Sequence, residues 1–511
     1  MLRPRVGFLV SLGLIILLSS TAYFFAFGRP QALFWDENYH LAAAEKYIAG
    51  VMFMEPHPPL GKLLIALGEI LVGSNAKLDK SSFLNTDFIT SVPEGYTFYG
   101  VRFFPTLLAA LAGVLFFLIL YLIFQNWKLA LPFTALYLFD NALIVHCRGA
   151  MLEGIQLFFV LTAVLLFLWA LRRKQERTAL FYLALGVIIA LACAVKLNSA
   201  ILFLMLPCWL FEDLRSWGVG IGFVKQFPFL VFKDRSGLPF KARALISRLF
   251  IILGRLAVFF FALSICFLIP FYIHFALGQK VVEERYYHAS DEYRQALAEK
   301  KTTSLHYFPA MLKDYFLYID NYEKGVPRWD PAKPGENGSP PWAWPFGYKS
   351  INYRWDRNDD VAAYIYLQGN PLAWTIGLVA VLLALMYLGG VFLFKAELKD
   401  PANFRLIFYF FILYASYMAV MLQIKRVMYL YHYFIPLIFS FILAALVFQR
   451  LFQESATCFN LKAWIVACAV ALLLIAVFIF FAPFTYHIPL STQDFKLRIW
   501  SEIWGLVPVT D

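Results

Sequence analysis

Apolar residues in this chain come in long unbroken runs, not in the alternations or narrow stripes of a soluble fold. The first run extends from Gly7 to Phe27 behind Arg3 and Arg5. Later runs cover 102–124, 129–146, 152–171, 178–195, 197–211, 249–273, 371–394, 405–422, 429–448 and 463–482. Most approach the ~20 residues that a helix needs to cross a ~30 Å hydrocarbon core. The pattern predicts an all-α polytopic membrane protein with about 11 transmembrane helices. The short 129–146 and 197–211 runs are the weakest members of the count. The first run is long for the apolar stretch of a secretory signal, and no A-x-A-like cleavage site follows it. It therefore reads as a retained first span.

The polar segments between runs set the expected orientation. With the amino terminus in the cytoplasm, alternation places Arg172–Arg177, Lys225–Arg248, Lys395–Lys399 and Arg450–Lys462 all on the cytoplasmic side. That is the positive-inside pattern. The carboxyl terminus then lies outside, as do two long polar segments. The reading divides the chain into an N-terminal transmembrane catalytic module, 1–273, which includes a first external loop, 29–99. A large external loop, 274–370, and a C-terminal transmembrane module, 371–511, complete it. In the large loop, Trp342–Ala343–Trp344–Pro345 suits an interfacial aromatic platform or, equally, a packed surface loop.

Composition narrows the function classes. Hydrophobic residues make up 61% of the 511 and charged residues only 15%, against about 25% charged in soluble chains. The net charge of +11 sits in the short loops, so it reads as membrane orientation and argues against a nucleic-acid partner. No G-x-x-x-x-G-K-[ST] phosphate loop occurs, which argues against an ATP-driven pump. The six cysteines lack CxxC spacing and lie in or beside apolar runs. They read as small core residues.

Two short segments after the first span carry candidate chemistry. Asp36 and Glu37 are adjacent acids at a membrane surface, a costly arrangement unless solvated or used. An N-cap with a first-turn acid is the structural alternative. Glu55–Pro56–His57–Pro58–Pro59–Leu60–Gly61–Lys62 then leads into an apolar stretch. The prolines fix an extended entry to a helix and hold His57 and Lys62 near its head, facing the headgroup region. A proline-led helix start with a snorkelling lysine gives the same pattern.

The order Trp35–Asp36–Glu37, then His57–Pro58–Pro59–Leu60–Gly61–Lys62, resembles the first external loop of protein O-mannosyltransferases. The likeness continues through Gly100–Pro105, Asp140–Leu143, Arg148–Glu153, Ile365–Pro371, Tyr429–Pro436 and Phe481–Tyr486. The resemblance implies a GT-C membrane fold with an external active site. It also implies inverting transfer of mannose from a polyprenyl-phosphate carrier to Ser or Thr of secreted or membrane proteins. Three features depart from the family. Asn38–Tyr39–His40 follows the acid pair where the family commonly has a His-Phe-Gly-like run. Glu153 stands where the family usually has Asp, and the large loop has no room for a β-trefoil module.

Such a reaction needs a base for the acceptor hydroxyl, and Asp36 is the candidate. Glu37 either stabilises the cationic sugar or orients the acceptor. The leaving phosphate calls for cations, with Arg102, Arg148, Lys196 and Arg426 as candidates. Each has pairing with Asp140 or Glu153 as its alternative. His57, Lys62, Glu153, Tyr431 and His432 complete the expected substrate-binding set, and a hydrogen-bonded core histidine is the other reading of His432. No cofactor is required and no metal-ligand spacing is present, although paired carboxylates are also of the type that hard divalent cations take. The expected partners are the lipid-linked sugar, a secretory protein acceptor and the bilayer, with a translocon or homologous subunit in addition. The expected site is lumenal or periplasmic, in the endoplasmic reticulum or the bacterial inner membrane. A GT-C enzyme delivering another sugar, such as aminoarabinose, to lipid A is the alternative function. A transporter or flippase is more remote: transporters often show broken helices and paired halves, whereas this chain shows asymmetric spans and a polar first loop carrying the paired acids.

Overall fold

A computed structural model describes residues 4–172, 178–216, 242–452 and 460–509. Among them, eight helices are long and apolar enough to cross a membrane. They are α1 (Pro4–Phe24), α4 (Tyr99–Phe124), α8 (Glu153–Arg172), α11 (Ala242–Leu277), α14 (Pro371–Phe392), α15 (Pro401–Met421), α16 (Phe434–Phe452) with the turn before it, and α17 (Leu461–Tyr486). A ninth crossing is broken: α5 (Trp127–Phe133) and α6 (Ala135–Leu138) meet α7 (Asn141–Cys147) at a 61° bend. The described residues thus give eight spans, or nine with the bent pair, against the expected eleven, and the other two expected spans fall on shorter elements. These are α9 (Ala179–Val195) and a 3-10 stretch, Leu197–Leu204, running into α10 (Met205–Ser216).

The interruptions fall on the 129–146 and 197–211 runs, and in the first the cause is a polar residue inside it. Asp140 caps α7 by accepting from the Leu143 amide at 2.9 Å, which stops the preceding helix. Its other oxygen takes the Asn370 amide at 3.0 Å and the Trp374 indole at 2.7 Å. A buried carboxylate is thereby satisfied at the junction with α14. Tight helix crossings rely on small residues: a Cβ on Gly186 of α9 would stand 2.5 Å from the Phe259 carbonyl of α11.

Alternation of the crossings gathers the long loops at one end of the bundle. Contacts there join distant segments, as where the Tyr486 hydroxyl donates to the Ala22 carbonyl at 2.9 Å. The Arg148 guanidinium likewise donates to the Ala26 carbonyl at 2.8 Å. At the opposite end Arg172 and Gln449 both donate to the Ile123 carbonyl. Of the cationic loops, 173–177, 217–241 and 453–459 lie outside the described residues.

The looped end is itself structured. Between α1 and α4 lie α2 (Glu37–Ala49) and α3 (Leu60–Val72); after α11 come α12 (Asp291–Ala298) and α13 (Phe308–Gly325). A small antiparallel sheet departs from the all-helical expectation. Its strands are β1 (Ile351–Asn358), β2 (Val361–Leu367) and β3 (Leu490–Ser491), in that spatial order. In β2, Val361–Leu367, small and β-branched residues sit with Tyr364 and Tyr366, a composition that favours a strand. Beyond β3 the chain forms α18 (Thr492–Lys496) and a final stretch that includes a 3-10 turn at Glu502–Trp504.

Candidate active site

Asp36 is half-buried at the head of α2, and its side chain does not cap that helix. Trp35 before it sits at φ +49°, a left-handed conformation unusual for a bulky residue. Its indole stacks on Tyr353 of β1, with ring centroids 4.9 Å apart. This turn leaves the Asp36 carboxylate with one long contact, from the Tyr431 hydroxyl at 3.4 Å. The capping alternative is therefore set aside by the geometry.

The carboxylate opens into a cavity of ≈ 270 Å³. His57, Lys62, Lys196, Arg426, Tyr431 and His432 line it, so six expected binding residues from four separate chain segments converge on Asp36. A neighbouring cavity of ≈ 190 Å³ shares His57, Lys196, Arg426 and His432 and extends to Leu197 and Ile424. Together they connect a polar chamber to a more apolar cleft, a shape suited to an amphiphile.

Each cation in the chamber is held by an acid. Lys62 pairs with Glu55. Lys196 reaches Glu153 Oε1 at 2.5 Å, while Glu153 Oε2 meets His146 Nε2 at 2.7 Å. His146 Nδ1 contacts the Tyr353 hydroxyl at 2.6 Å, and its ring stacks on Tyr431 at 4.7 Å. Arg426 pairs with Glu323 of α13 at 2.5 Å. His432 caps its own turn, with Nδ1 3.0 Å from the Tyr429 carbonyl and its ring parallel to Trp344.

Glu37, Arg102 and Arg148, expected at the substrate, stand off the wall of this chamber. Glu37 is fully buried and takes Arg102 Nε at 2.7 Å and Nη2 at 2.8 Å. It also accepts from the Ala150 amide at 2.9 Å and the Phe34 amide at 3.2 Å. The remaining Arg102 donors go to the carbonyls of Phe27, Pro30 and Ala32. Neither side chain has hydrogen-bonding capacity left for a ligand. Arg148 lies against the exit of α1, stacked over Tyr486 at 5.0 Å. Glu153 also lies off the chamber wall and acts on it through Lys196.

Burial raises the Asp36 pKa above the ordinary carboxylate range, and Glu153 adds to the rise. Lys196, His146 and Lys62 oppose it. The result is a stronger base than an exposed aspartate. Burial, with Lys196 and Lys62, holds His57 well below its usual value, so it is neutral at pH 7. His40, whose Nδ1–H donates to the Ala150 carbonyl 2.6 Å away, is pushed down to about 3 by burial and Lys62. Among the described residues no group of three or more His, Cys, Asp or Glu is placed to hold a metal ion.

Sequence reasoning missed His146, Glu55 and Glu323, together with the tyrosines Tyr39, Tyr318, Tyr322 and Tyr429 that line the chamber. Glu55 opened the proline-rich motif and its i+7 partner Lys62 was a usable signal. Glu323 is about a hundred residues from Arg426, and no local pattern joins them.

Two family descriptions match this chain. "Dolichyl-phosphate-mannose-protein mannosyltransferase" covers residues 13–278, and "C-terminal four TMM region of protein-O-mannosyltransferase" covers 331–504. Dolichyl-phosphate-mannose–protein mannosyltransferase 6 of Saccharomyces cerevisiae is 30% identical over 189 residues, 35% of this chain and 24% of that protein. Protein O-mannosyl-transferase 2 of Danio rerio is 29% identical over 154 residues, 30% of this chain and 20% of that protein. The matches thus span about a quarter or less of these relatives' length. In three dimensions, a solved S. cerevisiae protein O-mannosyltransferase complex bound to the sugar donor superposes with a TM-score of 0.79 at 15% identity. It covers 99% of this chain and 93% of that one, which shows a shared GT-C membrane fold.

Proposed function

The chain belongs to the protein O-mannosyltransferase family, and on that premise we propose that it transfers mannose from a polyprenyl-phosphate carrier to Ser or Thr hydroxyls of proteins. The observation that carries this reading is the Asp36 carboxylate, uncapped and facing a chamber lined by Lys62, Lys196 and Arg426.

The acceptor hydroxyl enters beside Asp36 and attacks the anomeric carbon from the face opposite the phosphate. As the new C–O bond forms, Asp36 takes the hydroxyl proton, which its raised pKa favours. The bond from the anomeric carbon to the phosphate oxygen breaks, and the polyprenyl phosphate leaves with an added negative charge. Lys196, Lys62 and Arg426 stabilise that charge as it develops. Neutral His57 and His432 offer ring nitrogens to the sugar or phosphate without adding charge. The configuration at the anomeric carbon inverts because attack and departure are on opposite faces. The proton then passes from Asp36 to solvent, restoring the base.

The cleft between Leu197 and Ile424 suits the first units of the prenyl chain. Glu37 and Arg102 act as positioning residues: their pair fixes the turn that aims Asp36. The Glu153–His146 couple positions Lys196.

The cationic loops support a cytoplasmic opposite end and therefore an external or lumenal site. The polar chamber, open among the long loops, supports a protein acceptor. A two-subunit complex as structural neighbour supports a homologous subunit as a further partner.

Purified protein in lipid, given radiolabelled polyprenyl-phosphate mannose and a Ser/Thr-rich peptide, is expected to label the peptide. Label entering lipid A and not peptide contradicts the reading.

A further inference from the structure

After α17 the chain does not leave the molecule. It pairs through β3, passes α18, and folds back along the helix it has just left. Arg498 Nε donates to the Phe480 carbonyl at 2.8 Å, with the guanidinium 4.6 Å from the Phe480 ring. Trp500 stacks on Phe480 at 5.3 Å and meets Phe481 edge-on at 4.9 Å. The Lys349 amide donates to the Ile503 carbonyl and the Ser350 amide to the Trp504 carbonyl, which pins the segment's far side.

Depth along α17 locates this contact. The helix has 26 residues, about 39 Å at 1.5 Å per residue. Against a ~30 Å hydrocarbon core it overhangs by roughly 4–5 Å at each end. Phe480 lies about 9 Å, six residues, inside the end at Tyr486. The Trp500 ring is therefore about 4–5 Å inside the edge of the hydrocarbon, within the shallow interfacial zone where tryptophans concentrate.

The segment exposes four large apolar side chains, with Glu502 the exposed acid among them. Leu497 is 60% exposed, Trp500 52%, Ile503 44% and Val507 65%. This face continues onto the spanning helices themselves, through Ile479 of α17 and Val379 of α14, both exposed. A cavity of ≈ 210 Å³ lies between the segment and α14, lined in part by Phe346, Thr375, Leu378 and Ile503. The Trp500 indole N–H donates to the Leu497 carbonyl at 3.1 Å, so it can enter an apolar phase satisfied. Lys496 is exposed beside it, placed to reach headgroup phosphates.

We propose that residues 497–507 form a monotopic anchor, seated in the headgroup–acyl boundary of the leaflet on the looped side, with bilayer lipid as the occupant of the apolar face. Lipid is favoured over a protein partner because the face is continuous with the lipid-exposed surfaces of α14 and α17 at matching depth. The anchor ties the sheet to the membrane: the Tyr366 hydroxyl donates to the Val507 carbonyl at 3.1 Å, and the adjacent strand β1 carries Tyr353, which meets Trp35 and His146.

Nitroxide labels on Leu497→Cys and Val507→Cys, with Lys324→Cys on α13 as the aqueous reference, test this in single-chain phosphatidylcholine nanodiscs. Signal from the unsubstituted chain is subtracted. The expected result is a higher oxygen-to-nickel-chelate collision ratio at 497 and 507 than at 324, with quenching of a fluorescent label at 497 by bromolipid. Equal ratios at all three positions would overturn the anchor. Shielding of 497 and 507 from both reagents would overturn the lipid assignment in favour of a protein cover. Neither readout depends on transferase activity.

Discussion

Arg102 and Glu37 face each other in a buried two-pronged pair, Nε to Oε1 at 2.7 Å and Nη2 to Oε2 at 2.8 Å. Sixty-five residues separate them, and between them they tie the start of α4 to the start of α2. The carbonyls of Phe27, Pro30 and Ala32 close on the same guanidinium, so the chain leaving α1 is held as well. The adjacent acid, Asp36, is left free because its neighbour is spoken for.

That division of labour predicts a stability effect for Glu37. Removing one partner strands the other as a buried charge, at a cost of about 3–5 kcal/mol. Arg102→Met and Glu37→Gln should each lower thermal stability in detergent markedly. The double variant should lose less than the sum, read as a coupling energy in a mutant cycle. A Glu37→Gln protein with unchanged Tm and lost turnover would place Glu37 on the substrate instead.

Asp36 carries a pH signature of the opposite kind. Its pKa is raised by burial and Glu153, and it acts as a base only when ionised. Turnover should therefore fall as pH drops, with the acid limb above the ordinary aspartate range. The linkage to stability has a definite sign. A raised folded-state pKa means that ionised Asp36 opposes folding above that pKa, and the penalty is absent below the unfolded value. Asp36→Asn should melt at the same temperature or higher at neutral pH, with the difference vanishing in acid. A lower Tm for the variant at pH 7 contradicts a free, buried carboxylate.

His146 is expected to act through others. It fixes Glu153, which fixes Lys196, by contacts of 2.7 Å and 2.5 Å. Removing a hydrogen bond to a charged group typically costs about 1.5–3 kcal/mol, so His146→Phe should raise the KM for the lipid-linked sugar roughly tenfold or more. The kcat at saturating donor should change much less. Loss confined to kcat would mean that His146 handles a proton.

The sequence made the membrane architecture legible because each span advertises itself in twenty consecutive residues. The interruptions in the 129–146 and 197–211 runs fall where the apolar pattern was weakest as spans. Asp36 was legible through its neighbourhood, Trp35 and the His57–Lys62 motif. What separated Asp36 from Glu37 was not, since the two acids differ only in which one Arg102 reaches. Glu323, which meets Arg426, and His146, which meets Tyr353, gain their roles from contacts across more than a hundred residues. The sheet was hidden because β3 is two residues long and pairs across a whole transmembrane module.

The central claim is that one carboxylate, Asp36, takes the acceptor proton. Transfer of radiolabelled mannose to peptide by Asp36→Asn, measured beside donor binding by the same preparation, tests it most directly. The account predicts donor binding retained and the transfer rate reduced by about 10²–10⁴-fold, the range for loss of a general base. Transfer at the parent rate with the variant intact would contradict it.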